Sequence, residues 1–225
     1  MPDLSPAMLM TGFISYVVFL FSTTCHEAAH ALAAKLQGDE TAAEGGQVTL
    51  NPIPHIRREP FGMVLVPIAS ALLSGGTYLF GWASAPFNAD WAYRYPRRAA
   101  LMALAGPATN FTLMFLSAIG FQIGNYFHVF RGQESWGPFL AQVLIIVFSL
   151  NLLLGIFNLV PAPPLDGSSV VMLFMKDSTA RRYQDWLRGG NYGVVGLLMA
   201  VLLFRYAYGP IFNVVASVLL PRHLF

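Results

Sequence analysis

Between Asp3 and Glu27 the chain carries no charged residue, and the apolar run that continues to about Ala34 contains His26-Glu27-Ala28-Ala29-His30. A run of this length and polarity is read as a membrane-spanning helix, which needs about 20 apolar residues. On a helix His26 and His30 are four residues apart, so both imidazoles leave one face about one turn apart. That spacing lets two nitrogens share one zinc ion, and Glu27 beside them is placed as a general base. Two histidines and a glutamate in lipid carry a high desolvation cost. Intramembrane ionisable groups therefore point to a functional site.

The rest of the composition agrees with a membrane setting. Of 225 residues, 56% are hydrophobic and 11% charged, against about 25% charged in soluble domains. The expected fold is an all-α polytopic membrane protein, one helical bundle over residues 1–225. A formal net charge of +2 gives no footprint for nucleic acid. The single cysteine, Cys25, excludes an internal disulfide and reads as a packing residue. The first apolar run has no basic residues before it and carries the motif inside it, so it does not read as a cleaved signal peptide.

Charge-free stretches set out about five to six membrane segments. The first runs from Met8 to Ala34, the second lies between Glu59 and Asp90, the third between Arg98 and Arg131, and the fourth between Glu134 and Asp166. Two short ones flank Arg205, and Gly209-Pro210 between them predicts a C-terminal membrane hairpin over residues 189–221. The second segment contains Pro67, Gly75, Gly76, Gly81 and Pro86, breakers that fit a re-entrant hairpin. If it re-enters, eleven of the thirteen Lys and Arg residues fall on one side and only Arg131 and Arg205 opposite. If it spans, the split weakens to four against seven. The re-entrant arrangement is the expected one, with the basic side cytoplasmic. Gln47 to Leu50, followed by Asn51-Pro52, reads as a short surface strand or turn.

A catalytic zinc site wants a third protein ligand and one open position. The candidate is Asp166, at the end of Asn158-Leu159-Val160-Pro161-Ala162-Pro163-Pro164-Leu165-Asp166-Gly167. Its prolines break the helix at membrane depth, where broken backbone needs a protein-lined or wet site. With the second segment re-entrant, the first and fourth run parallel, and both motifs approach the cytoplasmic ends of their segments.

HExxH in a first core helix, Ala105-Gly106-Pro107-Ala108-Thr109-Asn110 in an intervening one and NxxPxPxLDG in a later one together resemble the site-2 protease family of intramembrane zinc metalloproteases. The likeness covers about residues 20–175, in a compact prokaryotic form with no inserted PDZ or CBS-like domain. Val48 to His55, then Phe61-Gly62, is similar to one bacterial and archaeal subgroup. Where that subgroup usually has His-x-Asp-Pro-x-Gly, this chain has His55-Ile56-Arg57-Arg58-Glu59-Pro60-Phe61-Gly62. It lacks the Asp and is one residue longer, so His55 is read first as a structural histidine.

The resemblance implies hydrolysis of a peptide bond within or near the transmembrane helix of a membrane-anchored substrate protein, with one Zn²⁺ per protomer. It makes Glu27 the general base, His26, His30 and Asp166 the metal ligands, and Asn158 a donor to the substrate backbone or oxyanion. The implied partners are a transmembrane substrate and the lipid bilayer, in the cell membrane with the active site toward the cytoplasm. Two other classes remain open on the residues alone. One is a membrane zinc hydrolase acting on a lipid or small amide. The other is a non-enzymatic metal-binding protein such as a transporter, whose expected repeat symmetry is not visible.

Overall fold

The structure is a computed structural model that describes residues 5–74, 79–131, 136–190 and 192–221. Gly75, Gly76, Glu134 and Arg222, which entered the segment and charge reading, lie outside them. The chain divides into two compact units, Met1–Gly106 and Pro107–Phe225.

In the first unit, α1 (Pro6–Leu36) starts at a Ser5 cap with Pro6 in its first turn. The Ser5 hydroxyl accepts from Met8 N at 3.3 Å. The helix ends on Gly38 at φ +97°. There Gly38 N donates to Lys35 O and Asp39 N to Ala34 O. This paired closure needs the left-handed conformation that glycine adopts without strain. The Asp39 carboxylate, buried just beyond, accepts from Thr41 N at 3.0 Å, Thr41 Oγ1 at 2.5 Å and Asn88 N at 2.8 Å. It thereby ties the end of α1 to the start of α2 (Thr41–Glu44) and to a segment 49 residues on.

Gln47 to Leu50 is not a strand. Residues 48–50 form bends. Thr49 Oγ1 accepts from Asn51 N, and Asn51 Oδ1 caps Ile53 N to start α3 (Pro52–Arg58). Gln47 N donates back to Ala42 O, the capped start of α3 follows at once, and no strand lies among the described residues to pair with.

The second apolar segment goes out and comes back. A π-helical turn (Phe61–Leu65) leads into α4 (Val66–Leu73), and residues 79–88 return extended. The return lies along the outgoing helix. Phe80 N donates to Ser70 Oγ, Trp82 N to Gly62 O, and Ser84 Oγ to Glu59 Oε1 at 2.6 Å. Gly62 and Gly81 make this approach possible, since a Cβ on Gly81 would stand 2.6 Å from Gly62 O. The excursion thus begins at Glu59 and ends beside it at Ser84, the path expected of a re-entrant segment. Asn88 then caps α5 (Ala89–Arg94). Trp91 Nε1 and Arg98 Nη1 both donate to Gln37 O, bringing α5 and the start of α6 (Pro96–Tyr126) to the same end of α1. Small buried residues (Ala31, Ala34, Ala100, Ala103) line both helices, as close membrane packing requires.

The second unit holds the remainder of α6, then α7 (Trp136–Asn158), α8 (Gly167–Val170), α9 (Asp177–Gly189) and α10 (Tyr192–Leu219). Met114, Phe121, Phe148, Leu152 and Leu220 form its core. Two fully buried amides join α6 to α7, with Asn110 Nδ2 donating to Asn151 Oδ1 at 2.9 Å. The expected C-terminal hairpin is absent. α10 is one continuous helix through Gly209-Pro210. Pro210 removes one backbone donor, a loss that packed membrane helices tolerate. Contacts with α7 on both sides of it keep the helix running: Tyr208 donates to Ser149 O, and Phe212 packs edge-on to Phe148.

Among the described residues α1, α6, α7 and α10 are long and apolar enough to cross a membrane, and Phe61–Leu73 is a shorter apolar helix. The protein is a multi-pass, all-α membrane protein.

Candidate metal centre

The HExxH sequence lies in the last three turns of α1, and His26, Glu27 and His30 are all buried there. The two imidazoles meet edge to face, with centroids 4.6 Å apart at 81°. Their Nε2 atoms are 2.9 Å apart, converging as two donors to one ion must. His30 Nδ1 lies 2.8 Å from Met102 O on α6. A carbonyl only accepts, so Nδ1 carries the proton and the Nε2 lone pair is left for a metal. Glu27 Oε2 is buried with no protein hydrogen-bond partner. An unmatched carboxylate oxygen there is costly unless function uses it.

Gly106 forms the wall opposite. A Cβ on it would run into Nε2 of both His26 and His30 and stand 2.6 Å from His30 Cε1. The space in front of the two nitrogens is therefore a cradle that even a methyl group would fill. Two imidazole nitrogens, a neighbouring carboxylate and this cradle fit a zinc ion.

Asn158 and Asp166 belong to the second unit, both half-buried. Asn158 is the last residue of α7, and Asp166 directly precedes α8. The intervening loop is compact, with Ala162 N donating to Val160 O and Leu165 N to Ala162 O. A Cβ on Gly167 would collide with the carbonyls of Leu159 and Val160. The glycine of Leu165-Asp166-Gly167 is thus what lets the loop close on the end of α7 beside Asn158. The Asp166 carbonyl accepts from Ser169 N and Val170 N, anchoring its backbone in the first turn of α8.

Two contributors were not legible as such. Met102 supplies only its carbonyl, so no sequence pattern marks it. Gly106 is visible in the sequence only as part of the Ala105–Asn110 motif, and its place against the histidines depends on tertiary structure. His55 is buried in α3 with Nε2 donating to Thr49 O at 3.1 Å, a structural bond that ties α3 to the bend before it.

A buried helical His-Glu-His centre in a multi-pass membrane protein defines a zinc hydrolase of the membrane-embedded class. Residues 14–203 match the model of Peptidase family M50, and the chain belongs to that family. The candidate zinc metalloprotease YwhC of Bacillus subtilis is 39% identical over 171 residues, covering 74% of this chain and 70% of its own. The candidate zinc metalloprotease Rip2 of Mycolicibacterium smegmatis is 26% identical over 194 residues, covering 84% of this chain and 68% of its own. No solved structure matches the chain significantly. The protein is a zinc metalloprotease of the site-2 protease type, and its metal is zinc.

Proposed function

We propose that this protein is an intramembrane endopeptidase, cutting a peptide bond within or near the transmembrane helix of a membrane-anchored protein. The observation that carries the reading is the convergence of two imidazole nitrogens and a buried carboxylate inside a 31-residue apolar helix. A centre built at that depth serves a substrate that resides in the membrane. Membership of Peptidase family M50 supports the chemistry.

In this reading His26, His30 and Asp166 hold one zinc per protomer. Asp166 is proposed from its motif, the one acidic residue of the NxxPxPxLDG sequence. Zinc, when bound, lowers the pKa of water toward about 7 and polarises the scissile carbonyl. Glu27 accepts the proton from the attacking water and returns it to the leaving amine. Asn158, at the end of α7, donates a hydrogen bond to the substrate backbone or oxyanion. A substrate helix must unwind to present its carbonyl, and the extended return at 79–88, with Phe80, Trp82 and Phe87 exposed, offers an apolar surface beside which a chain can lie extended. The eleven-to-two charge asymmetry supports residence in the cell membrane with the site toward the cytoplasm.

The test is cleavage by purified protein in detergent or proteoliposomes, using a panel of single-span substrates beside soluble peptides, with and without a chelator. Chelator-sensitive cleavage confined to the spans supports the proposal, and ready hydrolysis of soluble peptides with none of the spans cut overturns it. Elemental analysis of Asp166→Ala tests the ligand set separately. Full zinc occupancy with unchanged affinity would assign the third position elsewhere.

A further inference from the structure

Thr23 Oγ1, Thr24 Oγ1 and Glu27 Oε2 are buried on α1 without a protein hydrogen-bond partner. Helical threonines ordinarily return their hydroxyl to the carbonyl four residues back. Thr11 does so to Ala7 O at 3.0 Å, and Thr112 to Ala108 O at 2.9 Å. Thr23, only 7% exposed, makes no such bond. Buried hydroxyls are almost always matched, and an unmatched one costs stability.

Its position gives it a task. Thr23 precedes His26, Glu27 and His30 by three, four and seven residues, so all four side chains share one helix face. Side chains four apart on a helix have Cβ atoms about 5–6 Å apart, a gap that one water spans between two oxygens. Thr23 Oγ1 and Glu27 Oε2, one on each of these side chains, both lack protein partners.

We propose that Thr23 is a positioning residue that seats the hydrolytic water against Glu27. The proposal rests on the hydrolytic role given to Glu27 above. The water donates one O–H to the Glu27 carboxylate and the other to Thr23 Oγ1, which leaves an oxygen lone pair directed at the scissile carbonyl. As the water oxygen bonds the carbonyl carbon, its first proton passes to Glu27 and then to the amide nitrogen. The C–N bond breaks, giving a carboxyl and an amine. Water reaching a site inside a bilayer arrives scarce and unoriented, so a second acceptor beside the base adds order that bulk solvent does not supply.

Thr23→Val keeps the shape and removes the hydroxyl, and Thr23→Ser keeps the hydroxyl. On a single-span substrate, Thr23→Val should lower kcat by about tenfold or more with KM within about twofold, while Thr23→Ser recovers most of the loss. Elemental analysis should find wild-type zinc in both. The Thr23→Val midpoint of thermal unfolding should not rise, because a hydrated hydroxyl gives up its bonds when removed. A wild-type kcat in Thr23→Val, or equal losses in both variants, overturns the proposal. So does a raised midpoint in Thr23→Val, which marks the hydroxyl as an orphan in the core; that measurement needs no substrate. A wild type that cleaves no span refutes the proposed function instead, and the unfolding comparison still decides the place of Thr23.

Discussion

Gly106→Ala adds one methyl group where α6 crosses the two histidines. That carbon would stand 2.6 Å from His30 Cε1 and closer still to both Nε2 atoms. Carbon contacts settle at about 3.5–4.0 Å, so the helix must withdraw or the rings must turn by roughly 1 Å. Neither is free. The His30 ring is held through Nδ1 to Met102 O, one turn earlier on the same helix. Withdrawing α6 therefore pulls the ring with it or breaks the bond that sets its tautomer. Overpacking of this kind costs about 1–3 kcal/mol, and about 1 Å of misplacement at a reacting centre costs about 10²-fold in rate. The methyl also occupies the space in front of both Nε2 atoms, where the proposed zinc would sit. The assay is zinc per protomer by elemental analysis, with thermal unfolding of the same preparations. Gly120→Ala serves as the control, because a Cβ there meets only the flexible end of Leu144 at 3.2 Å. Gly106→Ala should lose zinc and activity, and Gly120→Ala should keep both. Full zinc content with an unchanged melting midpoint in Gly106→Ala would refute the cradle.

Burial pushes the Asp39 carboxyl up, but hydrogen bonds from the Thr41 side chain and the Asn88 and Thr41 backbone outweigh it and hold the group below its usual 3.8. A lowered folded pKa contributes stability above the unfolded value that is lost as pH falls through the folded one. Asp39→Asn should therefore be less stable at pH 7, by about 1.5–3 kcal/mol for hydrogen bonds to a charged group. The gap from wild type should begin to narrow as the pH falls below about 3.8 and go on narrowing as it falls further, and a gap that stays constant with falling pH would contradict the assignment. In a Cys25→Ala background, Glu40→Cys and Asp90→Cys, both exposed, should react with an impermeant reagent from the same side of the membrane, since Asp39 and Asn88 are bonded. Labelling from opposite sides would overturn the re-entrant path.

Much of this was open to reading because period and cost act locally. A four-residue spacing places His26 and His30 on one face whatever packs around them, and a charge-free run can only be buried or in lipid. That residues 79–88 run back along Phe61–Leu73 agrees with the breakers, Gly81 and Pro67 among them, on which the re-entrant expectation rested. Two errors came from trusting local chemistry against tertiary contacts. Gly209-Pro210 signals a turn, yet Tyr208 and Phe212 on either side both pack on α7 and keep α10 continuous. Gln47 to Leu50 has strand propensity but no partner among the described residues, and the Asn51 cap claims the backbone that follows. The Met102 carbonyl, the Gly106 cradle and the unmatched Thr23 hydroxyl carry no sequence signal, because each acquires meaning only from what stands opposite.

Glu27 is proposed to drive zinc-dependent cleavage inside a transmembrane span. The most direct test is mass-spectrometric mapping of products from one single-span substrate, incubated with wild type and with zinc-loaded Glu27→Gln. Glu27→Gln removes the proton acceptor and leaves both imidazoles in place. Wild type should give one chelator-sensitive cut within or bordering the span, while Glu27→Gln, at equal zinc content, should fall by at least about 10²-fold. Near wild-type cleavage by the loaded variant would contradict the role of Glu27, and cuts found only in the soluble flanks would contradict cleavage in the membrane.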